Sequence, residues 1–483
     1  MFGQIGELQV QPRAKGEQEM GTGMTRRSFM GAVGLASLVM AACGGSGDTG
    51  DAAATDAATT AADGKTISGT YKKHVQGFDW GAGVDVATVT LDAPLDSADA
   101  TNFEVTETKM ATDFTDETFP IVEVTIPRPV TAATLEDEGK TLKLELACAP
   151  NDGDGPMIFS MATQYNTWSD PYYLTIKLAE GASVTSGGEA VAALNIDTAP
   201  QMTLTAADDW KFDDFKASDG TTFHSLLWIP EQASKTLVVW LHGLGEGGAK
   251  TEEKTDPSVT LLANKVTALG LSEFQEAVGG ANVLVPQCPT YWMDADGNSS
   301  NFSGGAINAD GTSFYTAALE ELIDSKADEL GVEKIVLAGC SNGGYMTMVL
   351  SINRPDAYAA VVPICEALED QYITDEQIES LVDLPMYFVY SKDDTTVDPT
   401  KNEEPTIERL KAAGKTADTL HVSTTEHVVD TSGQFFMTDE SGNPTEEPYQ
   451  YNGHWSWIYF DNNECECDED GLKAWEFIAE NVK

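Results

Sequence analysis

The sequence contains few basic residues. Its 483 residues include 28 lysines and arginines against 78 aspartates and glutamates, which gives a formal net charge of -50 at pH 7. A chain of this charge repels phosphate groups, whereas nucleic-acid binding depends on basic side chains that neutralise them. The composition therefore excludes nucleic acid as an expected partner, and it is typical of a strongly solvated surface.

The apolar run near the N-terminus is too short to span a bilayer. It extends from about Met30 to Ala42, follows Arg26 and Arg27, and ends at Cys43. A membrane-spanning helix needs about 20 apolar residues, so this pattern predicts a signal peptide over residues 1–43. It resembles a twin-arginine signal joined to a lipoprotein cleavage box.

This resemblance implies a lipid attached at Cys43, which would tether the exported protein to the outer side of the cell membrane. The translation start could be Met1 or Met24. Residues 44–66 contain mainly Gly, Ala, Asp and Thr and offer no core-forming side chains. They are predicted to form a flexible acidic linker.

Residues 67–205 are typical of an all-β domain. Short alternating runs such as "VDVATVTL" and "PIVEVTIP" are separated by clusters of Asp, Gly, Pro and Asn. This spacing predicts an Ig-like β-sandwich. No group of reactive side chains stands out in this half, so we expect the domain either to bind, for example to a polysaccharide, or to pack over the neighbouring domain.

Residues 206–483 follow a different pattern, in which apolar strand-like runs alternate with amphipathic helical runs. The runs "TLVVWLHG", "EKIVLAG" and "LPMYFVYS" are examples of the first kind. Such alternation predicts an α/β domain with a mostly parallel sheet covered by helices on both faces. Ligand chemistry in such a fold belongs at the carboxyl ends of the strands.

Ser341 is the candidate nucleophile. The segment "IVLAGCSNGGYMTM" places it between Gly339 and Gly343, after a predicted strand and before a predicted helix, and no second Gly-x-Ser-x-Gly occurs in the chain. A serine at a sharp strand-to-helix turn needs neighbours without bulk, and the helix then directs its N–H groups at the site.

A serine hydroxyl attacks at neutral pH only when a base takes its proton. His421, His427 and His454 follow Ser341, and we favour His454 because the loop of "YNGHWSW" precedes the final helix. The base needs an orienting carboxylate. In "SKDDTTVDP", Asp394 is favoured over Asp393, which could instead cap a helix or face solvent.

An oxyanion needs two fixed N–H donors. Asn342, directly after the nucleophile, is expected to supply one. The glycine-rich "LHGLGEGG" is expected to supply the other from Leu244, with Gly243 as the alternative.

These segments together resemble the α/β-hydrolase superfamily. The residues that carry the resemblance are "LHGLGEGG", "VLVPQCP", "GCSNGGYMT", "DDTTVDP" and "GHWSW". More narrowly, the chain is similar to secreted esterases of the predicted-peptidase group, which is prolyl-oligopeptidase-like and feruloyl-esterase-like. An Ig-like domain ahead of the hydrolase domain fits this group. Pocket candidates are Glu246, Trp292, Trp455 and Trp457, although the tryptophans could equally be core residues.

The resemblance implies a serine hydrolase that acts on an ester, small or polysaccharide-linked, without a metal or an organic cofactor. A peptidase of the same group is the alternative within the enzymes, although no propeller repeats are present. A polysaccharide-binding lipoprotein with an inactive hydrolase fold is the alternative outside them. Cys465 and Cys467, in "NNECECDED", are predicted to lie in an acidic surface loop and not at a metal site, because no histidine is near them in sequence.

Overall fold

The computed structural model describes residues 64–150, 155–200, 202–248, 256–298, 310–439 and 441–483. The predicted signal peptide, Cys43 and most of the predicted linker lie outside these residues. Within these ranges, no helix combines the length and the apolar character that crossing a membrane requires.

The N-terminal part of the described chain consists of strands and short 3-10 turns. Its strands are β1 (Lys65–Phe78), β2 (Gly81–Leu91), β3 (Phe103–Thr112), β4 (Ile121–Pro127), β5 (Val130–Glu136), β6 (Thr141–Leu146), β7 (Met157–Phe159), β8 (Asn166–Trp168), β9 (Tyr172–Leu178), β10 (Thr185–Ser186), β11 (Glu189–Ile196) and β12 (Met202–Thr205). The first strand starts at Lys65, which pairs with Val191, so ordered structure begins two residues before the predicted boundary at residue 67.

Two sheets enclose the core of this domain. One has seven strands in the order β10-β11-β1-β2-β6-β5, with β12 paired to β1, and the other has the order β4-β3-β9. Strand β6 shows why the sheets pack, because Leu142, Leu144 and Leu146 alternate with more exposed residues and are buried. The hydroxyl of Tyr71 on β1 accepts the N–H of Leu174 on β9 at 2.8 Å and so joins the two sheets. The predicted all-β domain is therefore present, and its Ig-like topology stays a prediction.

The C-terminal part alternates strands and helices as predicted. Its strands are β13 (Lys211–Lys216), β14 (Thr222–Trp228), β15 (Thr236–Leu241), β16 (Asn282–Gln287), β17 (Lys334–Cys340), β18 (Ala360–Ile364), β19 (Met386–Ser391), β20 (Leu420–Thr425), β21 (Phe436–Thr438) and β22 (Pro444–Pro448). Its α-helices are α1 (Val259–Leu262), α2 (Ser272–Val278), α3 (Thr316–Leu330), α4 (Asn342–Asn353), α5 (Asp375–Ser380), α6 (Glu403–Ala412), α7 (Trp457–Asp461) and α8 (Ala474–Val482).

Eight of these strands form one sheet in the order β13-β14-β16-β15-β17-β18-β19-β20. The pairs from β16 to β20 are parallel, and β13 and β14 add two antiparallel strands at one edge. Both faces are buried. On β15, Val238 and Trp240 join one hydrophobic cluster while Leu237, Val239 and Leu241 join the other. A strand that is buried on both faces consists almost entirely of apolar residues, which explains the sequence "TLVVWL" of β15.

The two domains share part of their core and meet at polar contacts. Asp79, in the β1–β2 turn, accepts a hydrogen bond from Asn462 at 3.1 Å, and its carboxylate lies 3.7 Å from the ammonium group of Lys265. The ring of Phe435, in the long segment before His454, packs edge-on against Trp80 at 5.1 Å. The N-terminal domain is thus held against the carboxyl end of the large sheet, where the candidate residues lie.

Candidate active site

Ser341 occupies the sharp turn between β17 and α4. Its backbone has φ 55° and ψ -115°, a conformation that side chains with a Cβ rarely adopt. The backbone packed against this turn leaves no room for a side chain at position 343, because a Cβ on Gly343 would lie 1.9 Å from the carbonyl oxygen of Leu241. The turn therefore holds the serine in a strained position at the end of the strand, in agreement with the strand–turn–helix predicted from the sequence.

His454 and Asp394 complete a hydrogen-bonded chain with this serine. His454 Nε2 lies 2.8 Å from Ser341 Oγ, and His454 Nδ1 lies 2.6 Å from Asp394 Oδ2. His454 and Asp394 are 7% and 6% exposed, whereas Ser341 is half-buried. The second oxygen of Asp394 accepts the N–H groups of Thr396 and Val397 at 2.8 and 2.9 Å, which fixes the carboxylate.

The competing residues lie beside this chain and not in it. Asp393 accepts from Ser391 Oγ at 2.6 Å and contacts the exposed ring of His427 at 2.7 Å. A Cβ on Gly453 would lie 2.1 Å from Asp393 Oδ1, so the glycine allows the His454 loop to pass close to this aspartate. His421 is buried and stacks on Tyr387. Of the three candidate histidines, the structure brings only His454 to Ser341.

The two expected oxyanion donors both start helical turns. Leu244 is the first residue of a 3-10 turn, and Asn342 is the first residue of α4. The first N–H groups of a helix have no partner within it, and they carry the positive end of its dipole. These two N–H groups can therefore bind an anion. Gly243, the alternative, is the residue directly before this 3-10 turn.

Trp292 connects the two halves of this anion site. Its backbone N–H donates to Asn342 Oδ1 at 2.7 Å, and its indole Nε1–H donates to the carbonyl of His242 at 3.1 Å. The side chain has no exposed surface. Trp292 is thus a core residue that fixes the loops of both donors, and the expectation that it lines the substrate pocket is corrected.

His242 holds the start of the same loop. Its Nε2 accepts the N–H of Cys288 at 2.9 Å, so its proton is on Nδ1, which donates to the carbonyl of Gly243 at 2.6 Å. Complete burial lowers the pKa of His242 to about 4. The ring therefore stays neutral, and its two hydrogen bonds hold the start of the loop in place. This role could not be predicted from the sequence, because the residues around His242 do not indicate which groups it will hydrogen-bond.

Glu246 is buried between the two domains. Its Oε1 accepts a hydrogen bond from the side-chain amide of Asn166 on β8 at 3.0 Å. Burial raises the pKa of Glu246 to about 7, and the hydrogen bonds from Asn166 and from backbone N–H groups oppose this effect. Glu246 therefore anchors the loop 243–248 to the N-terminal domain. The expectation that it lines the substrate pocket is corrected, because its side chain is buried.

The remaining pocket candidates lie beside His454. The ring of Trp457 meets the His454 imidazole edge-on at 5.6 Å and is 8% exposed. Trp455 packs against Trp457 at 6.2 Å and keeps part of its surface accessible. Trp457 thus supports the imidazole, while the pocket role of Trp455 stays a prediction.

All six cysteines in the described part of the chain are free thiols, so Cys288 and Cys365 do not pair. The acidic residues around Cys467 are exposed as predicted, whereas Glu464, next to Cys465, is half-buried. The two cysteines themselves are 1% and 5% exposed, so their assignment to a surface loop was wrong. They point inward because alternate residues of this segment face the core.

Comparisons with known proteins agree with the fold of the C-terminal domain. Residues 225–437 match the family model of phospholipases and carboxylesterases. No curated protein matches the sequence. A solved structure of a thermostable esterase is 20% identical, and the similarity covers 83% of this chain and 97% of that chain with a TM-score of 0.58.

Two further solved structures match less than half of the chain. A highly thermostable carboxyl esterase from Bacillus coagulans, in complex with glycerol, is 10% identical over 45% of this chain and 89% of that chain, with a TM-score of 0.32. An esterase from Pyrococcus furiosus is 14% identical over 46% of this chain and 84% of that chain, with a TM-score of 0.31. The strand order and the similarity to the thermostable esterase show that the C-terminal domain has the α/β-hydrolase fold.

Proposed function

We propose that this protein hydrolyses carboxylic esters through an acyl-enzyme formed on Ser341. The observation that carries the proposal is the continuous hydrogen-bonded chain from Ser341 Oγ through His454 to Asp394, with distances of 2.8 and 2.6 Å. This arrangement lets a neutral imidazole take the serine proton, which is what an unactivated hydroxyl requires. The family match of residues 225–437 supports the ester as the bond that is broken.

The reaction begins when Ser341 Oγ attacks the ester carbonyl carbon and His454 Nε2 accepts the hydroxyl proton. Asp394 stabilises the charged imidazole and keeps it oriented. The carbonyl oxygen becomes an oxyanion, which the N–H groups of Leu244 and Asn342 bind. Each such donor contributes about 2.7–4 kcal/mol to the stability of the transition state in comparable sites.

The intermediate collapses when His454 returns its proton to the alcohol oxygen, which leaves. Water then enters, His454 takes one of its protons, and the hydroxide formed attacks the acyl carbon. Collapse of the second intermediate releases the carboxylic acid and restores Ser341. The proposed steps use these three side chains, the two backbone N–H groups, the substrate and water.

The expected substrate is a small-molecule ester, either free or carried on a polysaccharide. Trp455, next to His454, offers a partly exposed aromatic surface to the acyl or alcohol group. The proposed location, at the outer side of the cell membrane, rests on the sequence alone. The twin-arginine and lipoprotein pattern supports export and a lipid anchor at Cys43, and the strand pattern of residues 67–205 supports an Ig-like domain between anchor and enzyme.

The test is the hydrolysis of short-chain p-nitrophenyl esters by the wild-type protein and by Ser341→Ala. The matched control is Ser351→Ala, because this buried serine of α4 donates only to the Thr347 carbonyl. We expect a burst of p-nitrophenol followed by turnover, lost in Ser341→Ala and kept in Ser351→Ala. Cleavage of peptide p-nitroanilides without any ester turnover would favour the peptidase instead.

A further inference from the structure

Three side chains with metal-binding atoms meet at the β20 edge of the large sheet, outside the candidate active site. His421 is the second residue of the edge strand β20, while Cys467 and Asp470 lie in the turn between α7 and α8. One ligand atom from each of them lies within 4.8 Å of the others. His421 Nδ1 is 3.9 Å from Asp470 Oδ2.

The turn presents Cys467 and Asp470 to the strand. Gly471 N–H donates to the Cys467 carbonyl at 2.8 Å, and Cys467 N–H donates to the Leu472 carbonyl at 2.9 Å. Leu472 N–H donates to Asp470 Oδ1 at 3.0 Å. This leaves Asp470 Oδ2 directed toward His421.

The His421 side chain is only 8% exposed. Its ring packs against Tyr387 at 5.9 Å and against the edge of Phe477 at 5.2 Å, so its orientation is fixed. Its Nδ1 lies 3.9 Å from Asp470 Oδ2, which is beyond hydrogen-bond distance. A cation bound between them would give the imidazole nitrogen and the carboxylate oxygen a shared partner.

We propose that His421, Cys467 and Asp470 bind a zinc ion. An imidazole, a thiolate and a carboxylate are the three kinds of side chain that zinc takes in proteins, and the thiolate disfavours calcium and magnesium. On binding, the Cys467 thiol releases its proton to solvent and the sulfur bonds to the metal. The exposed carboxylates of Glu466, Asp468 and Glu469 in the same segment attract cations to this surface.

The ligand atoms need only a small shift to bind the ion. Zinc bond lengths of about 2.0–2.3 Å place tetrahedral ligand atoms roughly 3.3–3.8 Å apart, somewhat closer than the 4.8 Å within which the three atoms lie. The Asp470 side chain is 54% exposed and can move inward. Three protein ligands leave the fourth position to water.

This site would stabilise the fold and take no part in ester hydrolysis. His421 pairs with Tyr387 near the start of β19, and the strand then runs four more residues to Ser391, before Asp394. At about 3.3 Å per residue, the two sites are separated by roughly 13 Å along the strand. The zinc would fasten the α7–α8 turn to the edge strand β20.

The experiment is a titration of the full chain with Co2+, followed by displacement with Zn2+. Cobalt bound by a thiolate in tetrahedral geometry gives a sulfur-to-metal charge-transfer band and visible d–d bands. The variants are Cys467→Ser and Asp470→Asn. Cys465→Ser is the matched control for a lost thiol, and Asp468→Asn is the matched control for a lost charge, since its carboxylate is bonded to Thr424.

We expect one cobalt ion per chain, with the charge-transfer band present in the wild type and in both controls. Cys467→Ser should lose this band, and Asp470→Asn should weaken binding about tenfold or more. The absence of the band in the wild-type protein would overturn the proposal. So would a band that persists in Cys467→Ser, or equal affinities for Asp470→Asn and Asp468→Asn. Because Asp470 is exposed, its variant remains informative even if Cys467→Ser does not fold.

Discussion

The side-chain amide of Asn166 donates a hydrogen bond to Glu246 Oε1 over 3.0 Å, and this contact joins the N-terminal domain to the loop that carries Leu244. Glu246 follows Leu244 by two residues in the same 3-10 turn. The position of the expected oxyanion donor thus depends on a residue of the other domain. The N-terminal domain is therefore a structural part of the candidate active site.

Replacing Asn166 with alanine should lower kcat/KM, because the loop loses its tie to β8 and the Glu246 carboxyl loses a donor. Leaving a buried group without its hydrogen bond costs about 1–3 kcal/mol. We expect kcat/KM to fall about tenfold, chiefly through kcat, as measured with a short-chain p-nitrophenyl ester. Thr167→Ala, on the same strand, is the control. Equal kinetics for the two variants would show that the contact does not position the loop.

The ionisation of Glu246 should make stability depend on pH. Burial raises its pKa to about 7 from its ordinary value of 4.5. Between about pH 4.5 and about pH 7, the Glu246 carboxyl keeps its proton in the folded protein and has released it in the unfolded chain. The stability contributed by this group is therefore complete below about pH 4.5 and is lost as the pH rises to about 7.

Glu246→Gln keeps a neutral side chain at every pH, so it should remove this dependence. The free energy of unfolding of the variant, relative to the wild type, should rise by about 2–3 kcal/mol between about pH 5 and pH 8. Urea unfolding at several pH values measures it. The buried carboxyls of Glu366 and Glu403 remain in both proteins, so their effects cancel. A difference that stays constant with pH would contradict the assignment.

Two adjacent aspartates should behave very differently when amidated. Asp394→Asn removes the charge that orients His454, and comparable changes lower kcat by about four orders of magnitude. Asp393→Asn alters contacts with Ser391, Gln450 and the exposed His427, and should lower kcat by less than about tenfold. The kcat of each variant decides between them, and a larger loss for Asp393→Asn would reverse the assignment.

Trp292 and Trp455 should affect different kinetic constants. Trp292→Phe removes the indole donor to the His242 carbonyl, so the loop before Leu244 loosens and kcat should fall severalfold. Trp455→Phe leaves the hydrogen bond between Trp292 and the His242 carbonyl intact and makes a partly exposed ring smaller. Its effect should therefore appear mainly in KM. Steady-state kinetics on one ester compares them. A loss of kcat in Trp455→Phe alone would contradict the roles of both tryptophans.

Much of the fold could be predicted because its signals are local. The buried strands of the parallel sheet are continuous apolar runs, and the glycines around Ser341 follow from the steric demands of one turn. His454 and Asp394 could be found because the strand order places their loops at the same edge as Ser341.

The remaining features depend on contacts between distant segments. Nothing in "YNTWSDPYY" marks Asn166 as the partner of Glu246, since the contact exists only when the domains dock. Trp292 is a pocket candidate by sequence because composition does not distinguish a buried indole from an exposed one. Cys467 is separated from His421 by more than 40 residues of sequence, and its segment reaches β20 through the hydrogen bond from Asp468 N–H to the Val422 carbonyl at 2.8 Å.

The most direct test of the central claim is covalent trapping of the nucleophile. A fluorophosphonate probe reacts with a serine only when a base and an oxyanion site activate it. We expect one adduct per chain, on the peptide that contains Ser341, and no adduct in Ser341→Ala or after acid unfolding. An unlabelled wild-type protein that is folded, or an adduct on another serine, would contradict the assignment of Ser341 as the nucleophile.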